Sequence, residues 1–223
     1  MNEHLAKDEA ALEDFRARFD ARIARPRPIF ETARLRLRPY RLDDAANLQR
    51  LAGDRRIAAT TATIPHPYPD GAAEAWIAPH DEHWSSGSRI NCAVETRDGE
   101  YVGGVGLVFE REHARAELGY WIAVPAWGKG YATEASEALC DFGFTTLGLH
   151  KVEARYLATN TASGGVMAKL GMQREAVLRQ HVVKWNERHD LVVCGILASE
   201  WRTRLRPRGA YSVLDAREPL KPA

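Results

Sequence analysis

Chemistry is concentrated in one stretch, Trp127-Gly128-Lys129-Gly130-Tyr131-Ala132-Thr133, which joins the strand-like run Glu117–Val124 to an amphipathic segment beginning at Glu134. Gly128 and Gly130 carry no Cβ, so the backbone can curl until several N–H groups point at one spot. The helix start behind them adds about half a positive charge, and such an end accepts anions. Lys129 can bring a full charge nearby. The arrangement suits a diphosphate, because preorganised N–H dipoles neutralise it without the rearrangement that flexible lysines require. Glycine pairs also mark ordinary turns, so the wider sequence has to decide.

The elements around that turn follow from periodicity. Leu35-Arg36-Leu37-Arg38-Pro39 alternates as a strand, and Asp43-Asp44 is set to cap a helix carrying Ala46, Leu48 and Leu51. Residues 60–70, rich in Thr and Pro, read as a loop, and 72–84 as a helix. Runs at 90–96, 101–110 and 116–124, separated by turns such as Asp98-Gly99, predict an antiparallel meander. The helix after the glycine turn places Ala135, Ala138, Leu139, Phe142 and Leu147 on one face and ends near Gly148. A strand at 151–158, a short helix at 161–170 and a strand pair at 172–183 and 190–197 complete the domain. The sum is an α/β (α+β) fold, a mixed and mostly antiparallel sheet of about seven strands flanked by about four helices.

Two extensions flank it. Residues 1–28 hold an amphipathic helix with Leu5, Leu12, Phe15, Phe19 and Ile23 at helical spacing, stopped by Arg25-Pro26-Arg27-Pro28. Its apolar stripe must be buried on its own domain or across a homodimer. Residues 202–223, with Arg202, Arg204, Arg206 and Arg208, read as an Arg-rich tail beyond a domain at 29–201.

Composition excludes several classes. The chain has 223 residues, with 31 Lys and Arg against 30 Asp and Glu, a formal charge of +1. No global field favours nucleic acid or a membrane, and a solvated tail is the commoner role for such arginines than RNA contact. No run approaches the ~18 apolar residues of a spanning helix, and the first ten residues lack a signal-like apolar core. Cys92, Cys140 and Cys194 lie in apolar runs and read as small buried side chains, so a cytoplasmic protein is expected. His80-Asp81-Glu82-His83 lacks a third ligand, so no metal is expected, and a solvated helix face is the expected role. The loop His66-Pro67-Tyr68-Pro69 with Trp76 and Trp84 gathers aromatic side chains on one flank, which pack on the sheet or line a site.

Three separated segments then agree on a family. Trp127 to Ala132 resembles the Q/R-x-x-G-x-G/A signature of the GNAT N-acetyltransferases, with Trp127 in place of the usual Gln or Arg. Asn160-Thr161-Ala162-Ser163 followed by Lys169-Leu170-Gly171-Met172 is similar to the N-x-x-S…K-L-G-F block of the RimJ/RimL-like branch. His189-Asp190-Leu191-Val192-Val193, with Glu200-Trp201 beyond, resembles that branch's last strand.

The resemblance implies the GNAT fold, acetyl-CoA as co-substrate, and acetyl transfer to a primary amine by direct attack in a ternary complex. The acceptor it implies is a protein N-terminus or a small amine. In the family, the backbone of Ile122, Ala123 and Val124 would pair with the pantetheine arm and supply the oxyanion donor. The amides of Trp127, Gly128, Lys129, Gly130, Tyr131, Ala132 and Thr133 would bind the pyrophosphate. Glu117 corresponds to a carboxylate often used as general base, and otherwise would pair with an arginine. Asn160 would bond the cofactor or cap a helix, and Ser163 would relay a proton to the leaving thiolate or cap that helix. The Tyr general acid common in the family is replaced by Met167, and Gly164-Gly165 departs from the branch, so Tyr120 is a second phenol to consider. These departures also fit a non-catalytic acyl-CoA-binding or regulatory module.

Overall fold

The computed structural model describes residues 2–203 and 211–215, with side chains from residue 9 to 203 and from 211 to 214. Nine strands make one sheet: β1 (Pro28–Glu31), β2 (Leu35–Pro39), β3 (Arg89–Thr96), β4 (Tyr101–Glu110), β5 (Arg115–Ile122), β6 (Lys151–Leu157), β7 (Gln173–Lys184), β8 (Glu187–Leu197) and β9 (Ser212–Asp215). Their order across the sheet is β7-β8-β6-β5-β4-β3-β2-β1-β9. Every neighbouring pair is antiparallel except β5 and β6. Parallel neighbours need a crossover, and α6 (Tyr131–Phe142), extended by a π turn at Gly143–Leu147, supplies it.

Alternation along the central strands sorts their side chains into two layers. Ile90, Cys92 and Val94 of β3 join the larger core beneath α1 (Asn2–Ile23) and α6. Ala93, Tyr101 and Trp121 face the opposite layer, where they meet Leu48 and Ala52 of α2 (Ala45–Ala52), Ile57 of α3 (Arg55–Thr60) and Ala73 and Ile77 of α4 (Ala72–Ile77). All three cysteines are buried, and none is in a disulfide.

The N-terminal helix packs on its own domain. Phe15 and Phe19 are buried in the larger core, and the Phe19 ring stands edge-on to Phe109 at 5.0 Å. Arg18 Nη2 also donates to the Thr145 carbonyl at 2.6 Å.

Among the described residues the sheet has nine strands where the alternation predicted seven, and the eight α-helices exceed the four expected. The added strands, β1 and β9, have four residues each and pair with one another at the edge. β9 lies in the segment expected as a tail. It is tied down by Tyr211, whose hydroxyl donates to Asp141 Oδ2 at 3.1 Å, while Trp201 Nε1 of α8 (Ala198–Thr203) donates to Asp141 Oδ1 at 2.8 Å. Arg204, Arg206 and Arg208 lie outside the described residues. The single helix predicted at 72–84 is two, α4 and α5 (His80–Ser85), broken before Pro79, which has no N–H to continue the ladder. Helix α3 begins at Asp54, whose carboxylate accepts the Arg56 N–H at 2.8 Å. Asp44 does not cap α2 with its side chain; it accepts two 2.7 Å bonds from the Arg38 guanidinium instead. The buried face of α2 consequently carries Ala45 and not Ala46.

Candidate active site

β5 and β6 pair only from Arg115↔Lys151 to Leu118↔Ala154, and beyond that point they part. A cleft of about 1170 Å³ opens there, bounded by Gly119 to Ile122 of β5 on one side and Arg155 to Leu157 of β6 on the other. Antiparallel ladders alternate between bonded and non-bonded pairs. Ala123 N–H donates to the Val102 carbonyl at 2.8 Å, so Gly103↔Ile122 is a non-bonded pair and the backbone groups of Ile122 point away from β4, toward the gap that β6 leaves.

This narrows the strand residues predicted to hold a cofactor. Ile122 lines the cleft, whereas Ala123 and Val124 do not. Ala123's N–H and carbonyl are both bonded within the protein, and the Val124 carbonyl accepts the Trp127 N–H at 3.1 Å where the chain turns into a short 3₁₀ segment. Trp127, 44% exposed, donates its indole Nε1 to the Ile122 carbonyl at 2.6 Å. The indole therefore lies along the strand end that leads into the glycine turn.

The turn has the predicted backbone. Gly128 and Gly130 sit at φ 75° and 80°, in the left-handed region that favours glycine, and Gly130 is the N-cap of α6 with no side-chain cap bond. The first amides of α6 thus face solvent at the cleft mouth, lined by Trp127, Gly128, Gly130, Tyr131, Ala132 and Thr133. Lys129 is exposed but does not line the cleft.

Two residues the sequence did not single out hold this turn. Arg34 donates from Nη1 to the Lys129 carbonyl at 2.8 Å, and from its backbone N–H and Nε to Glu134 at 2.8 and 2.6 Å. Its guanidinium lies 5.1 Å over the Tyr131 ring. A carboxylate in the first turn of a helix stabilises the helix but repels a bound anion, and Arg34 offsets that charge. The partners are 100 residues apart, so no local signal could have revealed the pair.

The far wall is built on Asn160, the N-cap of α7 (Thr161–Lys169). Its Oδ1 accepts the Ser163 N–H at 3.2 Å, and its amide donates to Ser163 Oγ and to the Thr60 carbonyl, each at 2.9 Å. Asn160 therefore fills the capping role and also ties α7 to the end of α3. Ser163 Oγ accepts from Asn160, which leaves its own proton free to donate. Tyr120 points its hydroxyl at the Ser163 carbonyl, 3.5 Å away, and burial pushes that phenol up to about 12. Met167 is buried in the larger core. Gly164 has a packing reason, because a Cβ there would stand 3.0 Å from the Tyr156 hydroxyl, while Gly165 faces open space.

Glu117 lines the cleft on the sheet face opposite α6, with its Oε2 3.5 Å from Arg155 Nε. An arginine partner and a cleft position thus coexist. His80, expected on a solvated helix face, is buried 4.4 Å from the Trp76 ring, with neither ring nitrogen hydrogen-bonded. Trp76 and Tyr68 line the cleft, but Trp84 is core.

The chain is similar in sequence and in fold to known proteins. The acetyltransferase (GNAT) domain family matches residues 34–173. The uncharacterized N-acetyltransferase p20 of Bacillus licheniformis is 34% identical over 115 residues, which are 51% of this chain and 64% of that protein. Spermidine N(1)-acetyltransferase of Escherichia coli K12 is 32% identical over 117 residues, 52% of this chain and 62% of that protein. The chain thus spans less than two thirds of the length of these curated relatives. Among solved structures, Mycobacterium smegmatis RimJ in complex with CoA-disulfide superposes with a TM-score of 0.70 at 26% identity, covering 78% of this chain and 89% of that one. Among the described residues, no helix is long and apolar enough to cross a membrane.

Proposed function

The chain belongs to the GNAT acetyltransferase family, and from that membership we propose that it transfers acetyl from acetyl-CoA to a primary amine by direct attack in a ternary complex. The observation that carries this reading is the parting of β5 and β6 beside an uncapped helix start. It leaves the Ile122 backbone and the α6 amides facing one cleft.

The residues present fit acetyl-CoA. Gly128 and Gly130, at positive φ with space around the missing Cβ of Gly128, form the cradle for its diphosphate, and Arg34 keeps that cradle in place. When bound, acetyl-CoA supplies an acetyl group activated as a thioester. Ile122 offers the N–H for charge developing on the thioester oxygen. Glu117 accepts the proton of the attacking amine, directly or through one water. Ser163, its hydroxyl oriented by Asn160, relays a proton from water to the departing sulfur and regains its own in the same step, while the proton taken by Glu117 passes to solvent. Ala123, Val124 and Lys129 contribute through backbone shape and local charge. Residues 29–201 are the catalytic unit in this proposal, and residues 1–28 stabilise it through Phe15 and Phe19.

Thiol release from acetyl-CoA, followed with and without added primary amines, tests the reading. Amine-dependent release with mass-confirmed N-acetylation supports it. Acetyl-CoA binding without amine-dependent release from any acceptor would instead identify an acyl-CoA-binding module.

A further inference from the structure

The acceptor end of the cleft has a chemistry of its own. Tyr40, Trp76 and Trp121 line it from the layer of α2 to α5, and the rings support one another. Tyr40 meets Trp76 edge-on at 5.0 Å, and Trp76 is backed by His80 at 4.4 Å. Trp121 packs on Tyr101 at 6.0 Å, and the Tyr40 and Tyr101 hydroxyls lie 3.1 Å apart. Gly104 permits the arrangement, since a Cβ there would collide with the Tyr40 hydroxyl and stand 2.9 Å from Trp121 Nε1. The result is a fixed aromatic wall whose outermost member, Trp76, is 39% exposed.

Charge in the same cleft runs the other way. Among the described residues that line the cleft, Glu117 is the only carboxylate, and it already faces Arg155. A protonated amine can lie over an aromatic face. A triamine, however, brings more positive charge than the one carboxylate already shared with Arg155 can balance.

Resting on the acetyltransferase reading above, we propose that the acceptor is a primary amine carried on an aromatic or bulky apolar body, which seats against Trp76, Tyr40 and Trp121, and that polyamines are poor acceptors. The body fills the apolar wall, and the single amine turns toward Glu117. Aromatic rings bury large area and gain further from edge-to-face contact, so the wall discriminates by shape as well as by polarity.

The test compares kcat/KM for 2-phenylethylamine, ethanolamine and spermidine, with the peptide Phe-Gly-Gly to separate a peptide N-terminus from a free small amine. Equilibrium dialysis of 2-phenylethylamine against the CoA-saturated protein runs in parallel. We expect 2-phenylethylamine or Phe-Gly-Gly to exceed both other amines at least tenfold. Trp76→Ala should raise KM for the aromatic acceptor about tenfold with the KM for acetyl-CoA unchanged, and Trp76→Phe should restore most of the loss. Spermidine or ethanolamine matching the better of 2-phenylethylamine and Phe-Gly-Gly, or Trp76→Ala leaving the KM of that better acceptor unchanged, would overturn the proposal. Bound 2-phenylethylamine without turnover of any amine would defeat the transfer reading but uphold the pocket, whereas absence of binding would defeat the pocket itself.

Discussion

Arg155 Nε lies 3.5 Å from Glu117 Oε2, directly beyond the last paired residues of β5 and β6. The carboxylate is therefore held at the opening of the cleft, half-exposed, and not sunk in the sheet. In the acetyltransferase reading it takes a proton only while the amine attacks, so Glu117→Gln should leave acetyl-CoA affinity almost unchanged and lower kcat/KM for the amine by roughly 10- to 1000-fold. Stopped-flow thiol release and a binding isotherm on the same variant separate the two quantities. Equal rates would remove Glu117 from the mechanism.

Arg34 is the clamp on the glycine turn. Replacing it with Ala frees the Lys129 carbonyl and leaves the Glu134 charge unneutralised beside the helix start. Acetyl-CoA affinity should fall by about two- to tenfold, a modest loss because the pair is solvent-accessible. The acceptor KM should stay constant, and its moving in step with that of acetyl-CoA would place Arg34 elsewhere in the mechanism.

Phe19 connects the N-terminal helix to the sheet. It is fully buried and packs edge-on against Phe109. Phe19→Ala should destabilise the fold by about 3–5 kcal/mol in urea titrations, the range for emptying an aromatic core position. A loss below about 1 kcal/mol would mean that the helix contributes little to the domain.

His80 gives stability a pH dependence of known sign. Burial, followed by the nearby Arg27, His83 and Arg89 charges, pulls its imidazole down to about 4, with Asp81 opposing. The unfolded chain takes up a proton below the ordinary value of about 6.5, and the folded chain does so only near 4. Stability from this group is complete above pH 6.5 and is lost as the pH falls toward 4, by up to about 3 kcal/mol. Other groups titrate in the same window, so the comparison is with His80→Phe, which keeps the ring contacts and should flatten the slope. An unchanged slope in that variant would exclude His80 as its source.

Much of this architecture was readable in the sequence wherever a local rule governed it. The β3–β4–β5 meander follows from alternation and the Asp98-Gly99 turn, and α6 from its apolar face and the positive-φ glycines at both ends. Asn160 and Ser163 were singled out together by the resemblance to the N-x-x-S block, and the capping bond that joins them is local. What escaped was non-local or short. α3, β1 and β9 have only four to six residues and gain their stability from tertiary partners, too few for a period to emerge. The Arg34–Glu134 clamp joins distant segments, and the inward turn of His80 depends on rings contributed by β2's end and α4. The outward direction of the Ile122 backbone groups, in contrast to Ala123, was hidden for a related reason: the phase of ladder bonding is fixed by pairing with β4, which side-chain types do not encode.

A calorimetric titration of acetyl-CoA into the wild-type protein and into Gly130→Trp tests whether the glycine turn holds the diphosphate. At that position a Cβ already comes within 3.4 Å of Arg34 Nη2, and φ is +80°. Micromolar binding by the wild type, abolished in a variant whose circular dichroism is unchanged, is the predicted result. Absence of binding to the wild-type protein would contradict the account.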